Sequence, residues 1–521
     1  MPFRPLLLSL FLLPSLAFAA TSSPGKGGVI DWHEFGPDAF EEARRDNKLV
    51  LLDLVAVWCH WCHVMEAETY TDPEVARFIE ANYVPVKADH DARPDLAERY
   101  RDWGWPATVV LDANGRDIVK RAGYIERDNL VRLLAAVVRD PSPEADRKTV
   151  VPDAISEDPR LSADVRGKLL ERHQSAHDAS EGGLAMMMKF LDRDTVLWSL
   201  RQIRGGDSTE EGRLRQTLDA NLALIDPAFG GVYQYSTHGD WSHPHYEKIM
   251  HSQWTNLLAY SQACSILDEP RYCDAGRRIA AYLIEFLSGP DGAFYSSQDA
   301  DLKQGTKAHD YFALGREARL EQGLPRIDKS RYSSVNGMAI EGLVALHQAT
   351  GEEAYLRRAV QAAEWVIDNR SLWGGGFRHD KLDASGPYLA DTLFMGRAFL
   401  SLYQARGDEN WLQRSLKAAA FIDKQLRHPV GGLAASVADG TPLKPLPQID
   451  QNIQAALWLL NLARVSGEPG PGELGEWVMR YLSTPEVALS RITEAGILEA
   501  DARLLEWRAR SAMRKLSTKM L

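Results

Sequence analysis

The sequence predicts an α/β domain followed by an all-α domain whose paired helices close into an (α/α)6 toroid. Between residues 48 and 138, short apolar runs alternate with amphipathic segments, which is typical of strands and helices built around one sheet. After Pro141-Ser-Pro143, long amphipathic helices dominate. These helices recur in pairs, and repeated helical hairpins bury a continuous core only by stacking on one another. The sequence therefore predicts two domains of different class.

The first domain, which we expect to cover residues 28–142, has the predicted order β, α, β, α, β, β, α, with the helices after Cys59 and Thr71 counted together. Residues Lys48–Ala56 are apolar after Lys48 except for Asp53, as expected for a buried strand. Cys59 follows this strand and opens a helix. Asn114-Gly115 is a hairpin signal between two further strands, and an amphipathic helix ends the domain.

The second domain, expected to cover residues 155–521, alternates tight helix–helix turns with loops of glycine and apolar residues. Thr350-Gly-Glu-Glu and Arg406-Gly-Asp-Glu are two such turns, and Gly230-Gly231 and Gly431-Gly432 lie in two such loops. About twelve helices fit this span. Loops gathered at one end would ring a shared mouth, which favours the closed toroid over an open solenoid.

Composition excludes several classes of partner. The net charge of -12 argues against nucleic acid, whose phosphates require clustered Lys and Arg. After the N-terminus no apolar run approaches the ~20 residues that span a bilayer, so we expect no stable membrane insertion. Residues 1–19 combine Arg4, an apolar core and Ala17-Phe-Ala19, which indicates a secretory signal peptide, with an uncleaved anchor as the alternative. We therefore expect an exported protein, periplasmic or secreted.

The most informative motif is Val57-Trp-Cys-His-Trp-Cys-His-Val-Met65, which admits three kinds of chemistry. Cys-x-x-Cys is typical of a thiol–disulfide redox pair, Cys-x-x-Cys-His of c-type haem attachment, and two Cys with two His of a zinc site. Haem attachment usually needs a small helical domain, whereas the flanking pattern is rich in strands. The spacings are too short for a four-ligand zinc finger. We expect a redox pair, with no cofactor and no metal.

Three neighbouring residues favour the redox interpretation, because with them the domain resembles thioredoxin. Trp58 directly precedes the first Cys, and Asp53 lies six residues before Cys59 inside the strand. Pro106 opens the hairpin, where thioredoxin-like proteins place a cis-proline that faces the disulfide. Pro106, having no N–H, would leave room for a substrate strand, and a plain hairpin-entry proline is the alternative.

The placement of the motif predicts the role of each residue. Cys59 sits at a helix N-terminus, where unpaired N–H groups and the helix dipole favour a thiolate. We expect Cys59 to be the exposed attacking thiolate and Cys62 to resolve the mixed disulfide. His60, if protonated, would stabilise the thiolate. A buried Asp53 with a raised pKa would accept a proton from Cys62, and a purely structural carboxylate is the alternative.

Cys264 and Cys273 lie nine residues apart on two predicted helices. A structural disulfide and two ordinary buried thiols both remain open, because bridging requires Cα atoms within about 7 Å.

Two loops of the second domain, residues 235–248 and 295–301, concentrate carboxylates, His and aromatic residues. Acid and base groups beside flat aromatic surfaces are what sugar chemistry requires. The alternative is that these side chains brace the glycine turns by hydrogen bonds.

The chain after the N-terminus resembles the spermatogenesis-associated thioredoxin-like proteins and their bacterial relatives. The resemblance rests on Cys59-His-Trp-Cys-His-Val-Met65, Thr71-Asp-Pro-Glu-Val75, Arg93-Pro-Asp95, Gly104-Trp-Pro106, Pro244-His-Tyr-Glu-Lys248, Gln298-Asp-Ala-Asp301 and Asn336-Gly337. It implies a thioredoxin-like domain fused to an (α/α)6 toroid similar to sugar epimerases and glycosidases, with Cys59 and Cys62 as the redox pair. The toroid-mouth residues that it implies are His245, Glu247, Lys248, Asp299, Asp301 and Asn336. The chain departs from the family pattern at Ala185–Leu191, Val335 and Ala390-Asp391-Thr392.

Our leading hypothesis is an exported thiol–disulfide oxidoreductase that acts on protein disulfide or dithiol substrates, with the toroid recognising the partner or a ligand. The alternative is a carbohydrate-active enzyme, epimerase- or hydrolase-like, with a regulatory thioredoxin domain. A third hypothesis is a non-enzymatic interaction protein whose Cys-x-x-Cys pair is structural or sensory.

Overall fold

The computed structural model describes residues 30–145, 152–383, 385–491 and 494–520, with side chains only as far as residue 513. The expected signal peptide lies outside the described residues. The predicted fold class is confirmed, because an α/β domain precedes a closed ring of paired helices. The expected domain limits, residues 28–142 and 155–521, place the boundary between the last helix of the α/β domain and the first helix of the ring.

The α/β domain is built on one five-stranded sheet of order β1-β3-β2-β4-β5, in which β1, β3 and β2 are parallel and β4 runs antiparallel to both of its neighbours, β2 and β5. The strands are β1 His33–Glu34, β2 Leu49–Val55, β3 Tyr83–Asp89, β4 Ala107–Leu111 and β5 Asp117–Ala122. The helices are α1 Pro37–Asp46, α2 His60–Met65, α3 Pro73–Asn82, α4 Pro94–Tyr100 and α5 Arg127–Arg139. The predicted order omitted β1, a two-residue strand that leaves no periodic signal, and it also omitted the ten-residue helix α1.

Local chemistry explains where these elements begin and turn. The apolar run of β2 places it at the centre of the sheet, where both faces are covered. Asp72 caps α3 by accepting the backbone N–H of Glu74 at 2.8 Å, and Pro73 starts the helix. The predicted hairpin joins β4 to β5, and Gly115 in its turn has a φ of +77°.

Six helical hairpins form the toroid, each with one inner and one outer helix. The inner helices are α7 Arg193–Arg204, α9 Met250–Leu267, α13 Ser333–Thr350, α15 Leu389–Arg406, α17 Ile449–Ser466 and α20 Ala495–Met520. The outer helices are α6 Ala163–Ser175, α8 Ser208–Asn221, α10 Pro270–Glu285, α14 Glu353–Arg370, α16 Glu409–Leu426 and α18 Pro469–Leu482. Successive inner helices pack together, and α20 packs on α7, which closes the ring.

The inner helices have more buried residues than the outer helices. In α15, 13 of 18 residues are buried, whereas in its outer partner α16 only 8 of 18 are. A helix that is apolar on all sides must be surrounded by protein, and one with a single apolar face lies at the surface. None of the described helices has the combination of length and apolar character needed to cross a bilayer.

Short elements fill the loops at the end where the inner helices begin. They are the strands β6 Tyr235–Ser236, β7 Pro244–His245, β8 Lys248–Ile249, β9 Ser297–Gln298 and β10 Ile327–Asp328, and the helices α11 His309–Phe312, α12 Arg316–Gln322 and α19 Pro485–Ala488. β8, β9 and β10 pair as a small antiparallel sheet. The loops with these elements form the mouth of the toroid.

A recurring contact braces the glycine loops. The fourth residue of four inner helices is polar and accepts the backbone N–H of an apolar residue that comes directly after the loop glycines or, for Phe294, one residue later. These pairs are Gln253 with Val232, Asn336 with Phe294, Thr392 with Phe377 and Asn452 with Leu433, at 2.7 to 3.1 Å. Each contact satisfies a buried backbone donor that no sheet or helix would otherwise pair.

Candidate functional site

Cys59 and Cys62 form a disulfide at the start of α2. β2 ends at Val55, and Cys59 is the residue that caps the helix. Its Sγ accepts the backbone N–H of Cys62 at 3.1 Å. Because this end of the helix carries unpaired N–H groups, negative charge on Cys59 is favoured there when the disulfide is reduced. The Trp105–Pro106 peptide that leads into β4 is cis, and Trp105 packs against the disulfide cluster.

Asp53 lies buried in the middle of β2, between Lys87 of β3 and Thr108 of β4. Burial raises the pKa of Asp53 to about 6, and the Lys87 ammonium, 3.9 Å from Oδ2, opposes that rise. The carboxyl therefore changes its protonation state at a higher pH than an ordinary aspartate.

The disulfide is covered rather than exposed, which corrects the prediction that Cys59 is exposed. Cys59 is 3% and Cys62 5% exposed. Ile249 of β8 packs against the cluster that the two cysteines form with Ala56 and Trp58. Ile249 is the toroid's part of this cover, because the α/β domain packs across the mouth, and Trp105 of the α/β domain packs on the same cluster.

Contacts around the whole mouth hold the α/β domain in place. Asp91 lies just after β3, and its Oδ2 accepts a hydrogen bond from the Ser296 hydroxyl at 2.6 Å. The backbone oxygen of Asp91 lies 2.7 Å from His379 Nε2. Arg93 reaches Asp439 at 3.3 Å, and Arg101 pairs with Asp450 at the start of α17. These contacts join loops of several hairpins to one domain.

His60 has a partner other than the predicted one. Its Nδ1 lies 2.8 Å from Oδ1 and 3.0 Å from Oδ2 of Asp301, so this nitrogen is engaged by the toroid and not by the Cys59 sulfur. His63, one helical turn along, approaches the same loop: its Nδ1 is 3.4 Å from Asp301 Oδ2 and 3.8 Å from Asp299 Oδ2. Both histidines of the motif therefore face the toroid mouth.

Glu247, Asp299 and Asp301 meet these histidines as three buried carboxyls. Burial raises the pKa of Glu247 to about 8, with the nearby Asp299 and Asp301 adding to the effect. Burial also raises the pKa of Asp299 to about 6, against the opposing influence of His63. Burial opposes the ionisation of Asp301 as well, but hydrogen bonds from His60 and His63 outweigh it and lower the pKa.

His245 completes this group from the edge of the mouth. Its Nδ1 lies 3.8 Å from Glu247 Oε2, and its ring stacks on Tyr235 with 4.4 Å between centroids. Burial lowers the pKa of His245, with a smaller contribution from His60 nearby. Of the six residues implied for the mouth, the structure thus brings together four: His245, Glu247, Asp299 and Asp301.

Lys248 does not face the mouth, which corrects its implied role. Its Nζ is fully buried in the wall, 2.6 Å from Asp226 Oδ2 and 2.9 Å from the Gly230 carbonyl oxygen. Arg319 binds the same Asp226 carboxylate at 2.9 and 3.1 Å. Burial lowers the pKa of Lys248 to about 8, although Asp226 opposes the shift.

Asn336 is the second correction, since it is one of the bracing residues described above. It is fully buried, and its amide donates to the carbonyl oxygens of Tyr332 and Phe294 at 2.9 and 3.3 Å. For Lys248 and Asn336, the alternative of loop bracing fits the structure.

The remaining cysteines are joined as well. Cys264 of α9 and Cys273 of α10 form a disulfide with 5.0 Å between Cα atoms. This bond links an inner helix to its outer partner, far along the chain from the Cys59–Cys62 pair.

Two residues of the site, His63 and Asp91, were not among the predicted site residues. His63 entered the sequence interpretation only as a possible ligand of haem iron or of zinc in the Cys-x-x-Cys motif. Asp91 had a weak signal, because Asp89-His-Asp91 is a polar run at the end of a buried strand, where sites form in α/β folds.

Comparisons with known proteins found similar sequences for the α/β domain and for a longer part of the chain. A family model described as "Thioredox_DsbH: Protein of unknown function, DUF255" matches residues 25–139. Human spermatogenesis-associated protein 20 is 29% identical over 306 residues, which cover 52% of this chain and 39% of that protein. Thioredoxin-1 of Drosophila melanogaster is 35% identical over 94 residues, which cover 18% of this chain and 83% of that protein. The chain thus matches well under half the length of the human relative.

Among solved structures, cellobiose 2-epimerase from Bacillus thermoamylovorans superposes with a TM-score of 0.47 at 11% identity, covering 61% of this chain and 86% of that one. The fold and the disulfide define a thioredoxin-like protein with a helical toroid. The chain belongs to the thioredoxin-like family and is homologous to spermatogenesis-associated protein 20.

Proposed function

We propose that this protein is a thiol–disulfide oxidoreductase that works through Cys59 and Cys62. The observation that carries the proposal is the Cys59–Cys62 disulfide at the N-terminus of α2, with the buried Asp53 in the preceding strand. In the reduced protein, the Cys59 thiolate attacks a substrate disulfide, forms a mixed disulfide and releases one substrate thiolate. Cys62 then gives its proton to Asp53 and attacks Cys59, which restores the disulfide and releases the second substrate thiolate.

The buried position of the pair makes exchange dependent on opening. A protein substrate cannot reach a sulfur that Ile249 and Trp105 cover, so the α/β domain must move from the toroid mouth, or a small thiol must enter first. The toroid in this proposal controls access to the redox pair and selects its protein partner.

An oxidising compartment fits this function, and we propose export to a periplasm or the cell exterior. All four cysteines of the chain are paired in disulfides. Disulfides persist in such compartments and are rare in the cytosol.

The carbohydrate alternative is less well supported by the geometry. Glu247 and Asp299 would have to contact a sugar, yet both are buried, and His63 of the α/β domain lies over Asp299. Sugar turnover that survives Cys59→Ala but is lost in Glu247→Gln would favour that alternative instead.

Trapping experiments test the proposal. The reduced Cys62→Ser protein, mixed with a protein disulfide such as insulin, should accumulate a mixed disulfide through Cys59, because no second thiol resolves it. Cys59→Ser should accumulate none. The Cys264→Ala/Cys273→Ala protein is the matched control and should reduce insulin like the wild type. Equal trapping in both single variants, or no exchange in the wild type, would overturn the proposal.

A further inference from the structure

Three side chains from the two domains converge on one point beside the redox helix. His63 Nδ1, Asp299 Oδ2 and Asp301 Oδ2 are the atoms concerned, and the groups that these residues offer lie within 4.8 Å of one another. Two ligand atoms on one Zn2+, each about 2.0–2.2 Å from the ion, are at most about 4.4 Å apart. A shift of a few tenths of an ångström therefore brings all three atoms onto one ion.

One of these atoms lacks a partner. Asp299 Oδ2 is buried, with no exposed side-chain surface, and makes no hydrogen bond. Its other oxygen, Oδ1, accepts the backbone N–H of Asp301 at 3.0 Å, which fixes the carboxylate with Oδ2 directed toward His63. A buried carboxylate oxygen without a donor is costly unless a cation or a proton supplies the missing interaction.

We propose that His63, Asp299 and Asp301 form a binding site for a divalent transition-metal ion at the interface of the two domains. The ligand set of one imidazole and two carboxylates is one that Zn2+ and similar ions accept, and catalytic zinc sites commonly have three protein ligands and one open position. The sulfurs of Cys59 and Cys62 are joined to each other, so they supply no thiolate to this site. This site differs from the zinc site considered for the Cys-x-x-Cys motif.

The surrounding groups hold the proposed ligands in place. Asp301 is fixed by His60 Nδ1 at 2.8 Å and by the backbone N–H of Gly305 at 2.8 Å. The side-chain amide of Gln304 lies 3.5 Å from His63 Nε2, on the far side of the ring from the proposed ligand atom. Such outer contacts orient the ligands of protein metal sites.

The proposed ion would join the domains, because His63 belongs to the redox helix α2 and both carboxylates belong to the toroid. The inference is independent of the proposed redox function, since binding is measured on the oxidised protein without any thiol reaction.

Metal binding can be tested on the full oxidised chain. The protein is stripped with a chelator, dialysed against Zn2+ at micromolar concentration, and analysed for zinc by atomic absorption. The wild type should hold one Zn2+ per chain. Asp299→Asn and His63→Gln should each weaken binding by about tenfold or more. Asp240→Asn is the matched control, since it alters an exposed His–Asp pair, with His243 Nδ1 at 2.8 Å, and should bind like the wild type.

A second measurement on the wild type covers the case in which a variant fails to fold. Co2+ bound by nitrogen and oxygen ligands gives weak visible bands without a thiolate charge-transfer band, and this is the expected spectrum. No zinc above the level of the His63→Gln protein would overturn the proposal. So would a thiolate charge-transfer band, or unchanged binding in folded Asp299→Asn and His63→Gln proteins.

Discussion

His60 Nδ1 lies 2.8 Å from Asp301 Oδ1, although the two residues belong to different domains and are 241 positions apart. Both side chains are largely buried, so water does not screen the contact strongly. His60 is the residue between Cys59 and Trp61 at the start of α2, and the contact therefore fixes α2 against the toroid mouth.

Weakening this contact should uncover the disulfide. Asp301→Asn keeps the shape of the side chain but removes a charge-assisted hydrogen bond, which contributes about 1.5–3 kcal/mol. We expect dithiothreitol to reduce Cys59–Cys62 about tenfold faster in this variant, as followed by alkylation and peptide mapping with a chelator present. Asp240→Asn, at an exposed pair within the toroid, should reduce at the wild-type rate. Equal rates in Asp301→Asn and the wild type would show that this contact does not hold the cover.

Asp53 should make stability depend on pH. Burial raises its pKa from 3.8 to about 6, so between these values the native state retains a proton that the unfolded chain has lost. Stability therefore falls as pH rises from about 4 to 6, by roughly 3 kcal/mol in all. The Asp53→Asn variant avoids this loss of stability, because an amide does not ionise. In urea unfolding at pH 7.5, the variant should therefore be more stable than the wild type. The difference should shrink toward pH 4, and a difference independent of pH would contradict the assigned pKa.

The buried triad of Asp226, Lys248 and Arg319 should respond unequally to substitution. Asp226→Asn leaves two cations without their carboxylate, and we expect a loss of about 3–5 kcal/mol in the free energy of unfolding. Lys248→Met should cost less, because Arg319 still pairs with Asp226. Its rate of disulfide reduction should equal that of the wild type. A large change in that rate would contradict the placement of Lys248 in the wall and indicate that it acts at the mouth.

The Cys264–Cys273 disulfide should stabilise the toroid. It closes a loop with a sequence separation of 9, for which chain entropy predicts a loss of about 2–3 kcal/mol when both cysteines become Ala. Urea unfolding of the double variant measures this loss. The wild type with both of its disulfides reduced should be destabilised at least as much, and an unchanged midpoint in the double variant would contradict a structural role.

Local sequence patterns predicted most of the fold. The apolar run of β2, the Asn114-Gly115 turn and the paired helices all act over short distances, and each element lies where the pattern placed it. The docking of the two domains could not be predicted, because the His60–Asp301 contact depends on groups that only the folded chain brings together. For the same reason the sequence could not show that Cys59 is covered.

Two local sequence patterns indicate which implied mouth residues face away from the mouth. His245 lies in β7 and Lys248 in β8, and side chains alternate along a strand. His245 and Glu247 face the mouth, whereas Lys248 faces the wall. Asn336 occupies the fourth position of an inner helix, as Gln253, Thr392 and Asn452 do. That recurrence indicates a structural role for Asn336. The approach of His63 to Asp299 had no comparable signal.

The reduction potential of the Cys59–Cys62 pair tests the central claim most directly. It should be measured in glutathione buffers on the full-length Cys264→Ala/Cys273→Ala protein, where only one disulfide titrates. Catalytic pairs of thioredoxin-like proteins have potentials between about -270 and -120 mV, and we expect a value in this range. A value below about -300 mV, typical of structural disulfides, would contradict a role in thiol–disulfide exchange.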